Sequence, residues 1–256
     1  MNKIRLWFQH WFPAIGLLAL LFIIWEGAVR FYQIEKWVLP APSQILLLLG
    51  QQQLAADIYA TTKIALIGLL IGIAVGYLFA LLSQLVPWIK RAIYPLLLLS
   101  QNIPMIALAP LLIAWFGFGD LPKLIVVTLV CFFPITIAVL DGFTQTDHAL
   151  WTYLKISGAS RWQIFWHLEA PATLPHFFSG CKLAATYSVM GAIIAEWLGA
   201  EQGLGQVMKV ASSSFEVGKV FVAIIWVVLL SLLFFGVFHL LERVVIRWKP
   251  SRRGGR

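Results

Sequence analysis

The chain has 256 residues, of which 61% are hydrophobic and only 12% charged, with a mean hydropathy of +0.87. A water-soluble domain is usually near half apolar and about a quarter charged, so the composition excludes an ordinary soluble domain and implies an integral membrane protein. The net charge of +8 sits on Lys and Arg flanking apolar runs, as juxtamembrane cations do; no separate basic domain is present, which excludes nucleic acid as a partner and leaves membrane lipid.

Six membrane spans are expected in chain order. Span one covers about Phe12–Phe31. Its basic start (Lys3, Arg5) resembles a signal peptide, but no small-x-small cleavage site follows, so an uncleaved helix is expected. Glu26 and Arg30 lie four residues apart in its outer part, the spacing of a local ion pair. The stretch from Glu35 to Thr62, with Pro40, Pro42 and a Gln run, predicts a loop carrying a short surface helix. Span two is about Lys63–Val86. Gly68, Gly72 and Gly76 recur there at every fourth position, which lets helix backbones approach closely; packing within the chain is favoured over a dimer seam.

Span three, about Ile93–Phe116, is broken by "SQNIPMIALAP", where Pro104 and Pro110 each remove a backbone donor. Span four is about Leu121–Phe143 with Pro134 inside, span five about Leu174–Leu198, and span six about Val220–Val245. The expected fold is therefore all-α and membrane-embedded. Residues 1–60 form the first helix with its outer loop and surface helix, 61–247 the core transmembrane domain, and 248–256 a basic tail. That tail, ending "RWKPSRRGGR", reads as an anionic-lipid anchor or a disordered segment.

Orientation follows from Lys and Arg. With the N-terminus inside, twelve cations fall on the cytoplasmic side (Lys3, Arg5, Lys90, Arg91, Lys155, Arg161, Arg243, Arg247, Lys249, Arg252, Arg253, Arg256) and six outside (Arg30, Lys36, Lys63, Lys123, Lys209, Lys219). The positive-inside rule then places both termini in the cytoplasm. Lys182, near the inner end of span five, is expected to snorkel to that interface.

Between spans four and five lies "SGASRWQIFWHLEAPATLP", residues 157–175, too polar and too broken to cross a bilayer. Leu150 and Leu154 share a face at i and i+4, and Trp162, Phe165 and Trp166 recur at helical spacing. A short amphipathic helix with exposed aromatics belongs in a headgroup layer or in a partner's groove; physical reasoning alone leaves both open.

The segment resembles the cytoplasmic loop of permease subunits of binding-protein-dependent ABC importers, whose motif is Glu-Ala-Ala, three residues, Gly, nine residues, then Ile-x-Leu-Pro. Here Gly158 is followed by nine residues and Leu168-Glu169-Ala170-Pro171. Thr152, Tyr153 and Leu154 stand at the Glu-Ala-Ala positions, and Ala170 replaces Leu, so no carboxylate occupies the motif's Glu position. "WVLPAPSQI" (37–45), "IPMIALAPLLIAWFGFG" (103–119), "FFPITIAVLDG" (132–142) and "AEWLGAEQGLGQVM" (195–208) are similar to the branch that handles sulfonates, taurine, nitrate, riboflavin and thiamine pyrimidine precursors.

The resemblance implies a type I importer permease in the inner membrane of a bacterium. Leu154, Gly158, Ala159, Ser160, Arg161, Trp162, Phe165, Leu168 and Pro171 would form the ATPase-coupling segment. The implied partners are two copies of a cytoplasmic ATPase that binds ATP and magnesium, an external substrate-binding protein, and a second copy of the chain, since six spans are few for enclosing a polar route. No G-x-x-x-x-G-K-[ST] phosphate loop occurs, so the chain itself is expected to need no cofactor.

Pathway candidates are polar or flexible side chains within the spans: Gln101, Asn102, Met105, Tyr187, Ser188 and Glu196. Four of them also have a structural reading: helix capping for Gln101 and Asn102, capping or an interfacial position for Glu196, and packing for Tyr187. Asp147 reads as a solvated loop charge, and Cys131 and Cys181 as small buried side chains. The cargo most resembled is the hydroxymethylpyrimidine-type thiamine precursor, with riboflavin, nitrate, taurine or alkanesulfonate as alternatives. A membrane enzyme is disfavoured because His10, His148, His167, His176 and His239 form no metal spacing with each other; a secondary transporter is disfavoured because no second half repeats the interrupted span.

Overall fold

The computed structural model describes residues 2–51, 53–86, 95, 97, 99 and 101–247. The start of span three, the loop with Lys90 and Arg91, and the 248–256 tail lie outside these residues. Every described regular element is helical, as expected for backbone that must satisfy its own hydrogen bonds in lipid. They are α1 (Asn2–Phe31), α2 (Pro42–Gln51), α3 (Ala55–Leu85), α4 (Met105–Phe116), α5 (Asp120–Thr144), α6 (His148–Ile156), α7 (Arg161–Ile164), α8 (Ala170–Glu196), α9 (Leu204–Ser213) and α10 (Val217–Val245), with a π-helical turn at Phe165–Glu169 between α7 and α8.

Four of these stretches are long and apolar enough to cross a bilayer: 55–84, 120–144, 161–196 and 217–245. α1 adds a 30-residue helix whose Ile15, Leu17, Phe22 and Ile23 are exposed, the side chains of a lipid-facing surface. α4 has 12 residues, about 18 Å of rise, and cannot alone cross a hydrocarbon core of about 30 Å. The break at Gln101–Pro104 predicted from the two prolines is present: Pro104 is extended and starts α4 without any side-chain cap. The prediction missed α9, whose Leu204, Val207, Met208 and Ala211 at i, i+3, i+4 and i+7 were a legible amphipathic signal.

α5 is the centre, packed between α3 and α8. Small residues make this possible. A Cβ on Gly68 would lie 2.5 Å from Val127 Cγ1, one on Gly72 would lie 2.6 Å from Cys131 Cβ, and one on Gly76 would lie 3.1 Å from the Phe132 carbonyl oxygen. The α3 glycines therefore seat α3 on α5 within the chain, as favoured from the sequence. Gly180 does the same for α8, facing the Pro134 carbonyl at 3.1 Å. Hydroxyls join the close contacts: Thr128 donates to the Gly68 carbonyl at 3.4 Å, and Thr136 to that of Gly76 at 3.3 Å. Cys131 and Cys181 are free and buried in this seam. Polar contacts of this kind supply modest but directional glue where lipid removes the hydrophobic drive between helices.

Glu26 pairs with Arg30 at 2.6 Å, the expected local pair. It also accepts from the Ser43 amide at 3.0 Å and hydroxyl at 2.8 Å, and so ties the first turn of α2 to α1. Lys182 is corrected: it does not snorkel but pairs with Glu242 at 2.7 Å, joining α8 to α10. A half-buried ammonium is better stabilised by a carboxylate on the neighbouring helix than by a stretched route to water.

Candidate functional site

The segment between α5 and α8 is a preassembled unit. Asp147 is not a solvated loop charge; its Oδ1 accepts from the amides of Ala149 (2.8 Å) and Leu150 (3.2 Å) and caps α6. An extended Asp beside free N-terminal amides gains both hydrogen bonds and the helix dipole. α6 then runs to Ser157, and Gly158 turns the chain with φ +84°, a conformation that costs Gly little. Nothing lies within 4 Å of where a Gly158 Cβ would stand.

Ser160 and Gln163 close a reciprocal capping box: the Gln163 amide donates to Ser160 Oγ at 3.3 Å, and the Ser160 amide to Gln163 Oε1 at 2.8 Å. The expectation of a separate surface helix followed by a span beginning near Leu174 needs revision. α7 passes without interruption through the π-helical turn into α8. Pro171 has no N–H to offer, and the Ala170 amide reaches back five residues to the Phe165 carbonyl, which widens the turn.

Glu169 holds the unit to the base of α8. Its buried carboxylate pairs with Arg161 Nη1 at 2.9 Å and accepts from Trp151 Nε1 at 3.2 Å. Lys155 lies 5.1 Å over the Trp151 ring. Among the predicted aromatics, Phe165 is corrected: it is buried, 6.2 Å from the Phe143 ring, and anchors the turn to α5. Trp162 and Trp166 are exposed, by 64% and 54%, with rings 5.6 Å apart. Ile156, Tyr153 and Leu150 are exposed on α6 as well. Leu154, Gly158 and Ala159 line a groove of about 450 Å³ with Ser157, Gln163 and His167. Leu168 and Pro171 are half-buried at the junction with α8. The sequence reading missed Trp151 and Glu169 as the fasteners.

The pathway candidates separate into groups. Gln101, Met105 and Tyr187 line one cavity of about 540 Å³ between the α4 entry, α5 and α8. Asp141, near the end of α5, lines it too. Asn102 is exposed beside the break but does not line this cavity. Ser188 faces the core, donating to the Ala185 carbonyl at 2.9 Å, so packing describes it better than a pathway role. Glu196 sits at the far end of α8, fully buried, and belongs to a different cluster. Its Oε2 accepts from the Gly205 amide at 2.8 Å and from Thr61 Oγ1 at 3.0 Å. Asp57 accepts from the Gly203 amide at 2.9 Å, and the Leu204 amide donates to Thr61 at 2.9 Å. Three consecutive amides at the start of α9 are thus satisfied by side chains of α3 and α8, the capping role weighed from the sequence.

A family profile for the inner membrane component of binding-protein-dependent transport systems matches residues 61–247. Over 243 residues the chain is 36% identical to the formylaminopyrimidine transport permease protein ThiX of Halalkalibacterium halodurans, across 94% of this chain and 96% of that protein. It is 32% identical over 246 residues to the riboflavin transport system permease protein RibX of Chloroflexus aurantiacus, across 93% and 92% of the two. Its fold is similar to that of the MetNI methionine ABC transporter in inward-facing conformations, with a TM-score of 0.66 at 17% identity over 75% of this chain and 95% of that one. With its helical membrane core and no phosphate loop of its own, the chain belongs to the family of inner membrane components of binding-protein-dependent transport systems, the permease subunits of ABC importers.

Proposed function

We propose that this permease carries a small pyrimidine, of the hydroxymethylpyrimidine type that feeds thiamine synthesis, from an external binding protein into a bacterial cytoplasm. The observation that carries this reading is the 36% identity, over nearly the whole of both chains, to a permease named for formylaminopyrimidine. Riboflavin is the second reading, favoured by the 32% identity to a riboflavin permease. In this reading two copies of the chain enclose the route, both termini are cytoplasmic, and two ATPase subunits supply the energy from ATP and magnesium.

The ATPase docks on the α6–α7 unit. Support comes from its surface: Tyr153 and Ile156 are exposed just before the 161–196 stretch and Trp162 and Trp166 at its very start, on a segment that caps, an ion pair and a buried Phe hold in one shape. Exposed aromatics on a preformed helix match the groove-docking mode of recognition. The test is uptake by proteoliposomes holding permease, ATPase and binding protein. ATP-dependent accumulation of aminopyrimidine is expected; accumulation without the ATPase would sink the importer reading, and riboflavin uptake in place of pyrimidine would replace the cargo.

A further inference from the structure

We propose that the cavity between the α4 entry, α5 and α8 is a charge-selective chamber, open to neutral or cationic hydrogen-bond-donating cargo and closed to small anions, with Asp141 as its specificity-determining residue. The proposal rests on the reading of the chain as an importer permease and narrows its cargo by chemistry.

The chamber is built from two facing helical stripes. Val130, Pro134, Ile137, Ala138 and Asp141 follow one another along α5, and Ser179, Leu183 and Tyr187 along α8. Gly180 brings the two helices into contact at its floor, and Gln101 and Met105 close the third side. Its volume of about 540 Å³ suits a single-ring or fused-ring solute. The lining is mostly apolar and aromatic with few polar groups, the pattern of a small-molecule site. Apart from Ser179, which donates to the Pro175 carbonyl at 2.9 Å, those polar groups are uncommitted. The Gln101 amide, the Tyr187 hydroxyl and the Asp141 carboxylate make no side-chain hydrogen bond or ion pair among the described residues.

The charge is one-sided. No Lys, Arg or His lines the chamber among the described residues. α4 contains no cation at all. The single Lys of α5, Lys123, is at the far end and pairs with Asp120 at 3.2 Å. The single Lys of α8, Lys182, is committed to Glu242 on α10 at 2.7 Å. An entering sulfonate or nitrate would meet a carboxylate with no counter-charge in a medium of reduced dielectric, where repulsion exceeds that in water several-fold. A planar amine-bearing heterocycle would meet an acceptor at Asp141, a donor–acceptor amide at Gln101 and the aromatic faces of Phe133 and Tyr187.

The test does not depend on knowing the cargo. A cysteine replaces Ala138 in the complete importer in proteoliposomes, and its reaction with cationic and anionic methanethiosulfonate reagents is timed; the unsubstituted complex, in which this chain's own Cys131 and Cys181 are buried, sets the baseline for every other thiol. The cationic reagent is expected to be favoured by about tenfold beyond its preference for a small free thiol, and Asp141→Asn to bring that preference within about twofold of the free thiol. A preference equal to that of the free thiol overturns the chamber, as does protection from both reagents, which would mean that a second copy of the chain fills the groove. Uptake separates this proposal from the cargo reading. Transport of riboflavin but not pyrimidine would overturn the pyrimidine and leave the chamber standing, whereas transport of an alkanesulfonate at a comparable rate would overturn the chamber.

Discussion

α8 starts just after one buried glutamate and stops at another, and the two ends of the helix use them differently. At Glu169 the partners are long side chains, Arg161 and Trp151, that reach in from a segment standing proud of the bundle. At Glu196 the partners are the Gly205 amide and Thr61, so close that a Cβ on Gly203 would fall on the carboxylate itself. Side-chain fasteners hold a segment while leaving a surface free on its other face. Backbone fasteners around glycines fix that end through the main chain, beside a pocket of about 460 Å³ that Glu196 lines with Lys63 and Lys123. The first arrangement suits a docking element and the second a rigid corner, and the contrast can be broken by substitution.

The largest effect is expected at the rigid corner. A Cβ on Gly205 would lie 2.6 Å from the Ile193 carbonyl oxygen and 2.8 Å from Glu196 Cβ, both attached to a packed helix that cannot step aside. Gly205→Val should cost about 3 kcal/mol of stability, read as a lower melting temperature of the detergent-solubilised permease. An unchanged melt would show that the corner yields more readily than its geometry implies.

A smaller loss is expected at the other glutamate. Glu169→Ala strands Trp151 Nε1 and frees Arg161, but Arg161 is half exposed and water can take up its charge. The expected cost is about 1–3 kcal/mol and local to the α6–α7 unit. ATPase co-purification should fall while the melt of the membrane core holds. Glu169→Gln, which keeps an acceptor for Trp151, should lose less. Equal loss of core stability in both variants would mean that the segment is part of the bundle rather than a unit fastened to it.

The two ends also differ in how much of them the sequence discloses. The long apolar runs disclose α3, α5, α8 and α10, because hydrocarbon thickness sets a length that few other structures need. The four-residue glycine spacing of α3 discloses a packed face, and Glu26–Arg30 a pair, since both partners lie within one turn. The Glu26–Ser43, Lys182–Glu242 and Trp151–Glu169 contacts span 17, 60 and 18 residues. Local periodicity cannot connect them; only the packed fold does. The aromatic triplet 162, 165 and 166 marked the right helix but not its faces, because the face that carries it is split between Phe143 on one side and open surface on the other. Asp141 stands in the sequence as a charge at a helix end, yet its value lies in what surrounds it, a cavity that no cation lines among the described residues.

Gly158 sharpens the contrast because its own chain does not need the space beside it. Gly158→Asp meets no atom within 4 Å and carries only the strain of φ +84° in a side-chain-bearing residue, about 1 kcal/mol. Insertion and melting should therefore be close to normal. If the groove formed by Leu154, Gly158 and Ala159 receives the ATPase, a buried unpaired carboxylate there should release it, and uptake should cease. Retention of the ATPase at full stoichiometry with normal uptake would falsify the docking role.

The smallest effect is expected at the first turn of α6. Asp147→Ala removes the one oxygen that accepts from the Ala149 and Leu150 amides and should cost about 1 kcal/mol of local helix stability. α6 buries no residue of its own, so this loss has no packing to hide behind. Amide exchange in residues 148–151 should quicken about fivefold, as that free energy implies for a local opening, while α8 amides remain unchanged. Two outcomes separate a preformed docking unit from one shaped by its partner. If the unit is preformed, free and bound states lose the cap alike, and ATPase affinity should hold. If the partner imposes the shape, only the bound state carries the cap, and affinity should fall by a similar factor because the partner must restore the turn at the lower stability.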